Sequence, residues 1–491
     1  KLCAGSFVLI CWPAPILRIM GVGSSAAPCG NCFAWIGGAS SSAGPPQGVA
    51  VASRDSVHAD VVIVGAGLAG LACALRLQEH GVKCVVVEAR GLVGGRASRG
   101  GADWVHGQHV TTWKYLERFG LKADGSLNGW HELRPGGAEC WVYVDGELRG
   151  PDRVHSEPNR LFFGKFEQLI EEWIVAGRGD ACMYELAEMA FDQTPTEDEV
   201  RLMKGMMAEW HAADLEDVGI YEDDLYSDRI QALAAKRPSL LSEDGDEGHW
   251  RIIGGHQGLA ERMAQGQQLH LSTVVQRIAW SNGKVQVDCE QAASFHARAA
   301  VVTVPLACIP DLCFDPPLPS AKQTAVQSLG RGVTTTVYLR FRECFWPERM
   351  AFLFHSMSSQ CFWPGRSRNV LTAYFGGAEA NTHLLAMDDG AMTDEIVCQL
   401  AKIFSRPVDE LKTLLIGSEV HRWDTDPYAK MSYSYCPVGT AKLRCELGAP
   451  CDNLFWAGEA THPTKSSFAH GALEEGERAA EEVLQFLSLQ P

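Results

Sequence analysis

The 491-residue chain carries 43 Lys and Arg against 60 Asp and Glu, a net charge of −17, which argues against nucleic acid as a partner and suits a small cationic one. The length exceeds one ordinary core, so two interleaved domains are expected, and a hydrophobic share of 46% is ample to fill them. The 17 cysteines are odd in number, without repeated spacing, and several, such as Cys73, Cys84 and Cys398, stand in apolar strands or helices, so a disulfide framework is not expected.

Residues 1–54 contain no Asp or Glu and are rich in Ser and small residues. Their apolar stretch from Phe7 to Ile19 is broken by Pro13 and Pro15 and falls short of the ~18 clean apolar residues of a membrane span. No integral membrane span is expected. The segment reads as an organelle or secretory leader, or as sequence ahead of the true start, and the compartment stays open. Cys29-Gly30-Asn31-Cys32 lies in this leader without a βαβ context, so it is taken as leader sequence, with no metal site.

The run Val61-Val62-Ile63-Val64-Gly65-Ala66-Gly67-Leu68-Ala69-Gly70, closed by Val85-Val86-Val87-Glu88, predicts a strand, a glycine turn, a helix over Leu68 to His80 and a second strand ending in an acid. Gly65 permits the tight turn, Gly67 lets the backbone approach a pyrophosphate, and Gly70 lets the helix pack closely on the strand. Phosphate then sits on the helix N-terminus. Glu88 follows Gly70 by 18 residues, near the roughly 20 expected of a carboxylate that accepts from ribose hydroxyls. The ligand is an adenine dinucleotide.

Beyond Glu88 come Ala89 and Arg90, then Gly94-Gly95-Arg96, a second glycine pair with a guanidinium able to fork onto phosphate oxygens. This stretch resembles the FAD signature of the flavin-containing amine oxidases, a family that includes monoamine, polyamine and spermine oxidases and lysine-specific histone demethylases. The resemblance runs from about residue 58 to residue 487 and implies an α/β (α+β) protein. A Rossmann-type FAD-binding domain, residues 55–107 with 251–310 and 415–491, is interleaved with a substrate domain of mixed sheet and helices, residues 108–250 with 311–414. It also implies FAD held non-covalently, because Ser432 stands where monoamine oxidases carry the cysteine that links to the flavin.

Further anchors follow in chain order. Gly101-Ala102-Asp103-Trp104-Val105-His106-Gly107 resembles the segment that passes the flavin ring, with Ala102, Asp103 and Trp104 toward the cofactor, although it follows the glycine pair more closely than in the family. From about Pro158 to Lys236 the period is helical, with Asp214, Glu216, Asp217, Glu222, Asp223, Asp224 and Asp228 clustered as a solvated face or a substrate-attracting rim. Gly254-Gly255-His256-Gln257-Gly258-Leu259 resembles the return to the FAD domain. Leu269 to Val287 alternates as strands around the hairpin signal Asn282-Gly283, and the resemblance places the Val275 backbone at the adenine. The strand Leu454-Phe455-Trp456-Ala457-Gly458-Glu459 gives a close backbone approach at Gly458 and a ribityl acceptor at Glu459. Ala469 opens a final helix, whose positive end near Gly471 faces the flavin carbonyl.

At the reacting end, the resemblance makes Tyr433 and Phe468 the two aromatic walls around the substrate amine, and puts Trp423 near the flavin. His106 matches the histidine of spermine oxidases and back-converting polyamine oxidases. Imidazole suits that place because its ordinary pKa lies near working pH. No arginine stands nearby in sequence to hold a substrate carboxylate, which favours simple amines. Thr336 occupies the position where the family usually has a lysine holding a water against flavin N5. Lys322 is expected in the preceding surface helix, away from that water. The resulting expectation is an FAD-dependent oxidase of a polyamine, spermine or spermidine or their acetylated forms, with molecular oxygen as second substrate and aldehyde, shorter amine and hydrogen peroxide as products. Because of Thr336, an amine dehydrogenase or a non-catalytic flavoprotein stands as the alternative. A histone demethylase-like protein is a further one, disfavoured by the lack of an added helical domain or basic surface.

Overall fold

The computed structural model describes residues 56–98, 100–107, 109–124, 139–150, 157–191, 194–220, 249–290, 293–357 and 361–489. The leader, with its Cys29 and Cys32, and the acids Glu222, Asp223, Asp224 and Asp228 lie outside the described residues.

Strand Val61–Val64 is buried at every position and pairs in parallel with Cys84–Val87 on one side and Ala299–Val302 on the other. Such a run shows no polar alternation because both faces of a parallel sheet are covered. The sheet is completed by Leu454–Trp456 and Leu269–His270, giving five strands drawn from distant parts of the chain. One face carries helices Leu68–Glu79 and Ala469–Leu489, sharing a core of Leu71, Leu75, Leu473 and Val483. The other face packs Val62, Val64, Val85 and Val87 against Ile278, Val285 and Val287 of a second five-stranded sheet. In that sheet the hairpin expected at Asn282-Gly283 forms, with both residues at positive φ, 48° and 68°, the twist that two-residue hairpins require.

A seven-stranded sheet forms the other half of the molecule, with Thr334–Phe341 flanked by Leu415–Arg422 and Val370–Gly376. Strand period 2 divides its residues. Val337, Leu339 and Phe341 enter a core with Met392, Ile396 and Leu400 of helix Asp389–Ile403, so Thr334, Thr336 and Tyr338 face the opposite way.

Sheet pairing moves two of the expected segment boundaries. Cys313–Asp315 pairs in parallel with the Val275–Ser281 strand and so joins the cofactor half, while Leu415–Arg422 belongs to the seven-stranded sheet. Helix Ser320–Ser328 departs from its expected surface position at Lys322, which is only 2% exposed. The Lys322 ammonium donates to the Leu447 and Ala449 carbonyls at 2.6 and 2.5 Å and lies 4.7 Å from the Trp456 ring. Burial lowers its pKa to about 8. It holds a helix end in place, away from the residues around Thr336. Among the described residues no helix is long and apolar enough to cross a membrane.

Candidate active site

The glycine turn has the shape that a pyrophosphate needs. Gly67 caps helix Leu68–Glu79 without a side-chain hydrogen bond, and a Cβ added there meets nothing within 4 Å. The helix N-terminus is therefore open to an anion. Gly70 is different in kind: its Cβ would lie 2.0 Å from the Gly65 carbonyl oxygen, so it serves close packing. The second glycine pair abuts the first. Gly94 N donates to Ala66 O at 2.8 Å, and a Cβ on Gly95 would stand 3.4 Å from the Gly67 Cα.

Glu88 is buried, its Oε2 accepting from Ala66 N at 2.7 Å and its Oε1 from Arg90 N at 2.8 Å. One protein donor per oxygen leaves lone pairs for a ribose diol. Ser272 N donates to Arg90 O and Thr273 N to Glu88 O, both at 2.9 Å, which brings the start of the Val275 strand beside Ala89. Arg90 reaches Asp426 at 2.5 Å and lies 5.8 Å from the Trp423 ring, whose Nε1 donates to Gly100 O at 3.1 Å.

Glu459 is a hub. Its Oε1 accepts from Arg96 at 2.8 Å, and its Oε2 from Ser434 Oγ at 2.7 Å, Ser467 N at 3.0 Å and Ser434 N at 3.3 Å. Despite burial, the Arg96 guanidinium and these donors keep its pKa below the ordinary value. The carboxylate is thus committed to the protein, and what it fixes is the backbone next to Tyr433 and Phe468. Ser467 Oγ adds a bond to Ser434 O at 2.9 Å. Gly458, at φ 142°, leaves open space where a Cβ would be.

Asp103 takes Arg251 at 2.9 Å and Arg366 at 2.8 Å, and the Arg251 guanidinium lies 3.8 Å from the Trp104 ring centre. Ala102 N donates to Arg96 O at 3.2 Å. This segment is therefore tied to strand His249–Ile252 and to the turn after Cys361–Pro364 by a two-arginine clamp that sequence inspection does not reveal.

His106 pairs with that same strand and sets its ring 5.1 Å from Phe468, which stacks on His470 at 4.9 Å. Burial, then the neighbouring His470 and His256, lower the His106 pKa to about 3. In place of the expected imidazole poised near working pH, burial holds the His106 ring in its neutral form. Tyr433 donates to or accepts from Tyr374, the hydroxyls 2.9 Å apart. Thr336 is 5% exposed and sits in register between Tyr374 and His421. Ser432 Oγ is held by Thr334 Oγ1 at 2.5 Å. The structure thus brings His106 against Phe468, Thr336 into register with Tyr374, whose hydroxyl meets that of Tyr433, and Ser434 and Ser467, next to Tyr433 and Phe468, onto Glu459. Tyr374, Arg251, Arg366, His256 and His470 are additions to the site. Only His256 and His470 sit inside motifs visible in the chain.

An open helix N-terminus, a ribose-ready acid and a glycine approach at Gly458 fit an adenine dinucleotide bearing a flavin. The chain belongs to the flavin-containing amine oxidoreductases, whose family model matches residues 68–484. It is 27% identical to the probable polyamine oxidase 4 of Arabidopsis thaliana over 464 residues, covering 88% of each chain. Against the human lysine-specific histone demethylase 2 the identity is 25%, with 88% of this chain but 54% of that protein covered. Among solved structures, cyclohexylamine oxidase from Brevibacterium oxydans shares the fold at a TM-score of 0.71 and 21% identity, covering 88% of this chain and 99% of that one. Putrescine oxidase bound to putrescine does so at 0.71 and 20%, covering 88% and 100%. The protein is an FAD-dependent amine oxidoreductase with an amine as substrate.

Proposed function

We propose that the chain oxidises a polyamine at the carbon beside a secondary amine. The imine so formed is hydrolysed by water to an aldehyde and a shorter amine, and oxygen is reduced to hydrogen peroxide. FAD, when bound, supplies the two-electron acceptor. The observation that carries this reading is the anchoring on Glu459 of Ser434 and Ser467, the chain neighbours of Tyr433 and Phe468, with the His106 ring against Phe468. Two rigid aromatic walls exclude water and favour the uncharged amine that must lose the hydride, while their π faces draw in its cationic form. A neutral imidazole accepts a hydrogen bond from a substrate ammonium without adding a competing charge. Ser432, bonded to Thr334, offers no thiol for a flavin linkage, so binding is non-covalent.

Thr336 favours a second reading of the last step. A hydroxyl in this buried place holds a water but brings no positive charge, and Lys322, bonded to the Leu447 and Ala449 carbonyls, lies away from it. An acceptor other than oxygen then completes turnover. Anaerobic mixing with spermine, spermidine, their acetylated forms and a monoamine, followed by air, tests both readings. Bleaching of the yellow colour by one polyamine and rapid recovery in air is the expected result. Bleaching with slow recovery supports the dehydrogenase, and no bleaching by any amine overturns the polyamine assignment.

A further inference from the structure

Helix Gly255–Met263 opens on two consecutive glycines in the left-handed region, Gly254 at φ 92° and Gly255 at φ 76°. This turn presents His256 inward from the first helical turn, where it is 1% exposed and neither ring nitrogen has a hydrogen-bond partner. The Ala102 carbonyl lies beside the ring but outside hydrogen-bond geometry. Its next neighbour repeats the pattern: Gln257 Oε1 is buried and unpartnered, 2.9 Å from where a Gly94 Cβ would stand. Buried polar atoms in folded proteins nearly always find partners, and an orphan costs about 1–3 kcal/mol. Two adjacent orphans in one helical turn therefore mark a surface completed by something else.

Their surroundings say what completes it. Gln257 adjoins the glycine pair Gly94-Gly95, which itself abuts Gly67 at the open helix N-terminus. His256 lies within electrostatic reach of Asp103, Arg366, His106 and His470. The two orphans thus run from the phosphate-binding turn toward the residues around Phe468, the direction in which an extended dinucleotide must lie. We infer that the first turn of this helix is part of the FAD site, with His256 hydrogen-bonding a polar edge of the bound cofactor and Gln257 Oε1 accepting from a sugar hydroxyl beside its phosphates. His256 is well placed for this as a neutral ring, one nitrogen donating and the other accepting. Burial keeps it in that form, with a pKa of about 4.

The test is FAD binding to apoprotein, read by flavin fluorescence quenching and by the visible spectrum of the bound flavin. His256→Phe fills the space without polar atoms and is expected to raise the Kd for FAD about tenfold, the loss of one buried hydrogen bond, and to shift the visible band. His256→Asn, which keeps one donor and one acceptor, is expected to bind within about threefold of wild type. Wild-type affinity and an unchanged spectrum in His256→Phe overturn the inference. If that variant does not fold, ring 15N shifts of labelled histidine in the wild-type protein decide, with the His256 signal identified by its absence from His256→Asn. Movement of the signal on FAD addition supports the contact, and a signal that stays in place overturns it.

Discussion

The hydroxyls of Tyr374 and Tyr433 meet at 2.9 Å, joining Tyr433 to the strand paired with that of Thr336. Tyr374 and Thr336 are direct cross-strand partners, so the tilt of the Tyr433 ring is set from the same sheet face that carries Thr336. With its hydroxyl on Tyr374 and the next backbone N–H, that of Ser434, on Glu459, the Tyr433 side chain is held at both ends.

Removing either hydroxyl should loosen this wall without dismantling it. Tyr433→Phe and Tyr374→Phe are each expected to lower kcat/KM about fivefold, roughly 1 kcal/mol. The double variant is expected to lose little more than either single one, since both delete the same bond. Tyr433→Ala removes the ring and should lose roughly 2 kcal/mol or more. Stopped-flow reduction across a range of amine concentrations gives these values, and additive losses in the double variant count against a shared role.

Two glycines of the phosphate turn should respond in opposite ways to an added methyl group. Gly67→Ala places a Cβ where nothing lies within 4 Å and at an ordinary negative φ of −71°, so the apoprotein should keep its stability while FAD affinity drops at least tenfold. Gly70→Ala drives a Cβ to 2.0 Å from Gly65 O and should destabilise the apoprotein itself by a few kcal/mol. Flavin content after purification, together with thermal unfolding of the apoproteins, separates the two.

The positions read most directly from sequence are those whose geometry is local. Gly65, Gly67, Gly70 and Glu88 act within one βαβ unit, so their spacing is imposed by strand and helix lengths and survives in the chain as a pattern. The Asn282-Gly283 turn is legible for the same reason. Tyr374 is not, because only sheet register brings it opposite Thr336. Arg251 and Arg366 meet at Asp103 through tertiary structure alone. The ionisation of His106 is not legible in the chain, because burial and two neighbouring imidazoles that only the fold brings together outweigh its ordinary pKa.

Stability should fall as pH drops below neutrality. His256, His355 and His470 are buried, and desolvation is the first cause that holds their native pKa values at about 4, 3 and 3, against 6.5 for an exposed ring. Between those values the unfolded chain binds protons that the native chain refuses, so each ring removes about 1 kcal/mol per pH unit below 6.5. Glu459, with its native pKa depressed, adds stability that is present above the ordinary carboxylate range and is lost as pH falls through and below it. Apoprotein melting curves from pH 7.5 down to 4.5 should show a progressive decline beginning near 6.5. Glu459→Gln should lower stability by roughly 3 kcal/mol at pH 7, because Arg96 and the Ser434 and Ser467 donors lose a charged acceptor.

Thr336 tests which acceptor closes the cycle. It sits in register between His421 and Tyr374 and is 5% exposed, so a lysine introduced there would be desolvated. Its pKa would fall toward neutrality, but the paired Tyr374 and Tyr433 hydroxyls offer the ammonium an acceptor. Thr336→Lys is expected to speed the return of yellow colour in air on the order of tenfold, the scale of one added favourable charge near developing negative charge. Bleaching by amine should change less, because the proposed amine site is formed by Tyr433, Phe468 and His106. Thr336→Val, which keeps the shape and deletes the hydroxyl, should slow recovery a few-fold if that hydroxyl holds the water. Equal recovery in all three proteins, slow throughout, would mean that oxygen is not the acceptor and that the dehydrogenase reading holds.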